Sequence, residues 1–493
     1  MKKTWIKILA AAAVLAIAAA AVAIALDIRA NRRGGAVPVE NSMLYYFSDT
    51  EGATRFLVDS DLLDDRIGGF VDSFMTCDGT VGLARAGTGL YRVDADGVTL
   101  LYPAGVERAA LSLDCETAVF TTATELHVVV NGGEIEHVKP ESAVSIPAIA
   151  VSPDGRTVGY TVKTSDGAYT AYAYRNGESS KLADGAYVIA IGDGAGVCWW
   201  IDPADSSLWY MAGGKAKKVA DNVSSQTEFN RTLTEVMFDI DGVTYYSVKG
   251  SKPKALVGGA SVFSTQTDRA SKQGGDGCMS SVKDCDTIFG SVFYGCRSSS
   301  SSDNTRTVYD LWYVDGHRHA TALAKGAYQF YINEARTKLS VLIDSAVWSM
   351  DIDDPRTAEK ICANVYGYNA SKDGRIFYCI GYDRGLYYVE DGANPIKIAE
   401  GAVYSAMTAD GKCLFLSNYD STGILCLADG RKPLVTVTDN AAHFEVFPKV
   451  CCYYTGVYED EYGNKAYDVY TSKDGAEFTL ALSAARLGSN GEE

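Results

Sequence analysis

Proline is scarce, at 11 of 493 residues, and the five histidines are scattered. The first excludes collagen-like and proline-rich polymers, and the second leaves few imidazoles for a metal centre. Catalytic motifs are missing as well. There is no Gly-x-Ser-x-Gly elbow, no glycine-rich phosphate loop ending in lysine and no His-Glu-x-x-His, so the common hydrolase, nucleotide-binding and zinc-protease chemistries have no local signature. Positive charge is also short. Lys and Arg number 45 against 62 Asp and Glu, a formal charge of −17. Six of the basic residues (Lys2, Lys3, Lys7, Arg29, Arg32 and Arg33) lie within the first 33 positions, where Asp27 is the only acid, so residues 34–493 carry a net −22. Such a surface repels phosphate backbones, and nucleic acid is not expected as a partner.

One long apolar run is present: residues 8–26 (ILAAAAVLAIAAAAVAIAL) carry no charge. At 1.5 Å per residue this is enough for a ~30 Å hydrocarbon core, so the run reads as a transmembrane signal-anchor helix after a cytoplasmic tail of residues 1–7. Cleavage remains the alternative, because Ala21-Val22-Ala23 and Ala23-Ile24-Ala25 both fit a small-x-small site. The flanking charges nearly balance, and the export-like start places the bulk of the chain outside the cytoplasm, on a single-pass anchor in the cell membrane. Residues 27–42 read as a linker and 483–493 as a disordered tail.

Between them the chain repeats itself. Ala148-Ile149-Ala150-Val151 leads into Ser152-Pro153-Asp154-Gly155, and an alternating run follows. The same turn grammar returns at Thr76-Cys77-Asp78-Gly79, Gly192-Asp193-Gly194, Ser371-Lys372-Asp373-Gly374 and Thr408-Ala409-Asp410-Gly411. Four short strands per ~40 residues, broken by Asp-Gly turns, make a propeller blade. Val151-Ser152-Pro153-Asp154-Gly155-Arg156 resembles the repeat core of TolB-type, WD40-like (PD40) β-propeller proteins. The resemblance extends over residues 43–482 by periodicity, and implies that fold and a tendency to bind partners, without an activity.

The expected fold is therefore all-β: β-propeller blades, about ten and four-stranded, in one large ring or two in tandem, preceded by the single N-terminal transmembrane helix. Inner strands are expected to start near residues 74, 111, 149, 188, 233, 281, 329, 368, 405 and 445. If there are two rings, they divide near 257–280. Segments 257–280, read as a crossover, and 297–307, read as a loop between the second and third strands of a blade, should rise side by side on one face, with Ser298–Ser302 disordered.

That face is the candidate binding surface, with Asp303, Asp383, Asp420, Glu459 and Asp460 in its loops. Asp is also a preferred turn residue, and no loop matches a complete Ca²⁺ site, so no metal site and no cofactor are called for, Ca²⁺ being the one ion an acidic ring could take. Cys198, Cys379, Cys413, Cys451 and Cys452 read as buried strand residues that stay reduced. Cys278, Cys285 and Cys296 are the only cluster granted a disulfide. His317-Arg318-His319 reads as a solvated hairpin. The sequence thus points to a non-enzymatic binding or scaffolding module for a protein, peptide or glycan. The alternative is a glycan-active lyase or hydrolase at the central mouth, which small apolar inner strands such as Val188-Ile189-Ala190-Ile191 disfavour.

Overall fold

The computed structural model describes residues 45–48, 54–58, 61–68, 71–76, 81–87, 89–224, 227–258, 260–265, 270–273, 280–301, 304–420, 422–446, 450–459 and 465–487. The tail, the apolar segment 8–26 and the linker lie outside them, as do Asp303, Asp460 and Cys278. Among the described residues no helix is long and apolar enough to cross a membrane.

The described residues are all-β. Among them the strands form eight four-stranded sheets, one of six strands and one of seven. Numbered in chain order, ten blades span 71–102, 108–138, 143–184, 187–220, 227–255, 263–327, 329–363, 365–399, 402–441 and 443–487, with strands a to d in each. Burial explains the sequence of each strand. Second strands such as Thr117–Thr121 and Cys413–Ser417 are buried at every position because a neighbouring blade covers each face, so they read as unbroken apolar runs. Fourth strands such as Glu178–Asp184 lie at the rim and are mostly exposed and polar.

Apolar clusters fill the interfaces from blade to blade. Leu83, Leu111 and Phe120 join blades 1 and 2, and Leu416, Phe444 and Cys451 join blades 9 and 10. Blades 5 and 6 pack in the same way, through Met237, Leu256, Val262 and Phe293. The ends of the stack are also linked. Strand Tyr45–Ser48 pairs with the last strand, Thr479–Leu487, Phe47 lying opposite Leu487. Phe56 and Ile67, on the two strands that follow, then pack on Ala84 and Val93 of blade 1. This covers the edge that an open stack would expose.

The Asp-Gly turns join strands a and b, and their side chains close them. Ser152 Oγ donates to Asp154 Oδ1 at 2.6 Å and accepts the Thr157 N–H at 2.9 Å, while Asp154 Oδ1 accepts the Arg156 N–H at 3.1 Å. Ser371 with Asp373 and Thr408 with Asp410 repeat the Ser/Thr-to-Asp bond, and Ser472 with Asp474 makes it in the c–d turn of blade 10. In blades 5 and 7 an asparagine takes the serine's place: Asn230 Oδ1 accepts the Glu235 N–H at 2.9 Å and Asn333 Oδ1 that of Lys338 at 2.8 Å. Gly155 has φ +69°, and a Cβ there would lie 2.4 Å from Thr117 Oγ1 of blade 2, so the glycine serves both the turn and the contact between blades.

Blade 6 departs from the expected arrangement. Its inner strand is the two-residue Phe263–Ser264, and the strand expected near 281 is instead half of a hairpin, Ala270–Gln273 with Ser280–Lys283, inserted between strands a and b. Its second and third strands, Ser291–Ser301 and Asn304–Val314, pair over their whole length down to Ser301 opposite Asn304. Ser298–Ser301 is therefore strand, its backbone bonded to Thr- and Asn-rich sequence across the ladder. The insertion and this b–c hairpin leave from opposite ends of the blade, not side by side, because one is an a–b connection.

Candidate functional site

Two regions concentrate polar and aromatic chemistry: the inner edge of blade 5, and the face that carries the b–c turns of blades 7 to 9.

At the inner edge, Ser280–Lys283 runs parallel to the first strand of blade 5, Thr227–Asn230, with Phe229 opposite Val282. Ala270–Gln273 lies beside the inner strands of blades 2 and 3. Inner strands line the middle of a propeller, so the hairpin fills that space for blades 2 to 5. Arg231 fastens its exit, donating its N–H to the Cys285 carbonyl at 3.0 Å and its guanidinium to Asp284 at 3.1 Å. Val282 is 1% exposed and packs with Phe229 and Trp199.

Glu228 sits beside this hairpin with its side chain 18% exposed; Lys283 Nζ is 3.8 Å from one carboxylate oxygen, and the other, Oε2, has no hydrogen-bond partner. Burial pushes its pKa up, against Lys283 and the Ser264 N–H, which lower it. A raised carboxylate pKa means the folded state holds the proton more tightly than the unfolded chain. Stability from this group is therefore present below the ordinary carboxylate range and is lost as pH rises through the raised value. Glu228→Gln should stabilise the hairpin at pH 7 by about 1–2 kcal/mol, the cost of an incompletely paired buried carboxylate. Hydrogen exchange at Thr227–Asn230 checks this: protection in the parent protein should fall from pH 4.5 to 7 relative to the variant, and equal pH profiles would contradict it.

Most acidic turn residues are committed to the fold. Asp383 accepts from Lys397 Nζ at 2.8 Å, Tyr387 Oη at 2.7 Å and the Gly385 N–H at 3.0 Å, and these donors, Lys397 first, hold its pKa far below the usual carboxylate range. Asp205 is lowered to about 2 by its bonds to Ser207 and Lys218. The Asp420 N–H donates to Thr422 O at 3.2 Å within its own turn, and Glu459 ends its strand. Of the predicted acids, Asp383 is thus held by donors of its own blade.

Aromatic side chains occupy that face instead, and the acid-centred reading of the loops passes over them. Tyr328, Tyr366, Tyr382, Tyr404 and Tyr419 are 45%, 39%, 62%, 45% and 41% exposed. Tyr328 lies at the crossover into an inner strand, Tyr366 and Tyr404 are the second and third residues of inner strands, and Tyr382 and Tyr419 follow second strands. All five lie toward the end of the blades where the b–c turns emerge. Tyr366 and Tyr382 meet at a tilt with ring centroids 5.7 Å apart, the Tyr366 hydroxyl donates to Val403 O at 3.1 Å, and Tyr404 meets His443 at 5.8 Å, so the cluster crosses blades 8 to 10. The b–c hairpin of blade 6 projects from the same end: beyond Tyr309, the outermost residue of the third strand to pair with the fourth, it continues as a ribbon of two strands.

The cysteines also differ from expectation. Cys285 and Cys296 are free thiols, so no disulfide joins them, while Cys115, in the a–b turn of blade 2, is disulfide-bonded. Cys198, Cys379, Cys413, Cys451 and Cys452 are buried and free. Cys362 and Cys379 pack in one apolar cluster across the interface of blades 7 and 8. His319 Nδ1 lies 3.3 Å from Asp315 in an exposed turn, and Arg318 between the two histidines turns inward over Phe289, 5.0 Å from the ring centroid.

No family model and no curated protein sequence matches the chain. Solved structures do resemble it. A eukaryotic initiation factor matches at 10% identity over 81% of this chain and 94% of its own, with a TM-score of 0.38. The tricorn protease matches at 9% identity over 89% of this chain, with a TM-score of 0.31; this chain spans 58% of its length. The β-propeller domain of the Trilobed protease from Pyrococcus furiosus matches at 11% identity over 69% of this chain and 98% of its own, with a TM-score of 0.26. The four-stranded sheets stacked in chain order are themselves consistent with a β-propeller.

Proposed function

We propose that this chain is a membrane-anchored, extracytoplasmic β-propeller that binds or scaffolds a protein, peptide or glycan through the tyrosine face of blades 7 to 9. The observation that carries the reading is the row of exposed tyrosines on adjacent blades. Tyrosine offers a large, rigid contact surface with a hydroxyl at its tip, which suits both sugar rings and extended peptides, and such rings left in water mark interaction surfaces. The apolar run 8–26 supports the anchor, and the export-like start supports the location.

The test measures binding of the full-length protein, in detergent, to an array of envelope polysaccharides and peptides. For a ligand so found, the Tyr366→Ala/Tyr382→Ala double variant should weaken affinity at least ~10-fold and leave the melting temperature within about 2 °C, because truncation at exposed sites costs little stability. Unchanged affinity in that variant would end the reading. Glu228, a buried carboxylate with an unpaired oxygen at the inner edge, favours a second reading: a glycan-active lyase or hydrolase. Release of new chain ends from a polysaccharide, lost in Glu228→Gln, would support it.

A further inference from the structure

The outer half of blade 2 holds a cluster that neither the tyrosine face nor the inner edge uses. His127, on the third strand Leu126–Val130, lies directly opposite His137, on the fourth strand Ile135–Val138. Their Nδ1 atoms are 3.1 Å apart. Glu125 stands two residues before His127, and one ligand atom from each of the three lies within 4.8 Å of the others. His127 is fully buried, its ring stacked on Phe120 at 4.7 Å and tilted against Tyr102 at 4.8 Å, whereas His137 is exposed. On the far side of the His127 ring, Nε2 is 3.3 Å from Thr122 Oγ1.

We propose that Glu125, His127 and His137 form a binding site for a divalent transition cation of the zinc class, with Nδ1 of both imidazoles and a carboxylate oxygen as ligands.

Three geometric features support it. Two nitrogens bound to one tetrahedral Zn²⁺ at ~2.0–2.1 Å stand about 3.3–3.4 Å apart, so the imidazoles need to separate by only a few tenths of an ångström. If the Thr122 hydroxyl accepts the Nε2–H of His127, the lone pair sits on Nδ1, facing His137; this is the orienting contact that metal-bound imidazoles usually have. The rings of Phe120 and Tyr102 fix one ligand, while the exposed side of His137 and Glu125 leaves an entry path and a fourth position for water or a partner's side chain. Nitrogen donors select the zinc class over Ca²⁺ or Mg²⁺, which prefer oxygen. Lys139 holds Glu125 Oε1 at 2.9 Å, and the carboxylate has a second oxygen to offer.

The experiment titrates chelator-treated full-length protein with Co²⁺ and Zn²⁺. The expected result is about one equivalent of bound Co²⁺ with the visible bands of a four- or five-coordinate ion, displaced by Zn²⁺, and a rise in melting temperature with metal. His137→Ala, at an exposed position, should fold as the parent does and lose at least ~10-fold in affinity together with those bands. Thr122→Val should lose affinity while keeping the spectrum of the same ligands. His317→Ala/His319→Ala should bind as the parent does. Absence of saturable binding in the parent, or binding unchanged in His137→Ala, would overturn the site.

Discussion

Replacing Glu235 by alanine should loosen the junction of blades 5 and 6 by about 2–3 kcal/mol, the range for stripping a buried N–H and a hydroxyl of a charged acceptor. Glu235 is 8% exposed at the start of a second strand. Its Oε2 accepts the Thr287 hydroxyl at 2.8 Å and the Ile288 N–H at 2.9 Å, and Oε1 lies 3.5 Å from Arg318 Nη2. One carboxylate thus ties the a–b turn of blade 5 to the connection leaving the inserted hairpin and to the c–d turn of blade 6. Alanine would leave a buried N–H and a hydroxyl without an acceptor, and a guanidinium over Phe289 and Tyr246 without its counter-charge. Glutamine keeps an oxygen for the N–H and should cost about half as much. Stacked blades open locally, so the measurement is native-state hydrogen exchange at Glu235 and 287–289. A change under 1 kcal/mol in the alanine variant would refute the clamp.

What the sequence reveals depends on whether the deciding interaction is local. Ser152, Asp154 and Gly155 close their turn with bonds spanning two to five residues, so the turn and the repeat period are visible in one stretch of chain. Asn230 and Asn333 make the same closure without the Ser-x-Asp-Gly spelling, and their blades show only in the period. The inner strand of blade 6 is two residues long, too short for any alternation to register, so the repeat spacing carries the assignment to Ser280-Ser281-Val282-Lys283 instead. Its actual partner, Thr227–Asn230, is a parallel strand about fifty residues earlier, and no local pattern encodes that pairing. The tyrosines of blades 7 to 9 stand among strand aromatics that read as core, and only their placement at blade ends exposes them. The His127–His137 pair was within reach: the two lie symmetrically about the Asn131-Gly132-Gly133 turn, so a hairpin there places them opposite each other.

The inserted hairpin offers the largest test of how function divides between the inner edge and the tyrosine face. Its docking on blade 5 rests on a four-residue parallel ladder, worth ~0.5–1.5 kcal/mol per hydrogen bond before the cost of ordering, and on burial of Val282, worth ~1.5–3 kcal/mol. An ionised carboxylate at position 282 would cost several kcal/mol, because it would meet Phe229 and Trp199 without a partner. That penalty rivals the whole docking energy, so Val282→Asp should expel the hairpin rather than strain it, whereas Val282→Ala should weaken it by about 1–2 kcal/mol. Hydrogen exchange should then rise by two orders of magnitude or more along 227–230 and 280–283 and stay unchanged in the fourth strands of the same blades. Retained protection at 280–283 would show that the hairpin is not held by this contact. Ligand binding at the tyrosine face should survive the expulsion, because the strands of the hairpin pack mainly on blades 2 to 5, whereas Tyr366, Tyr382 and Tyr404 stand on blades 8 and 9. If expulsion instead abolished binding, or unmasked turnover of a glycan that Glu228→Gln then removed, the working site would lie at the inner edge and the tyrosines would be bystanders.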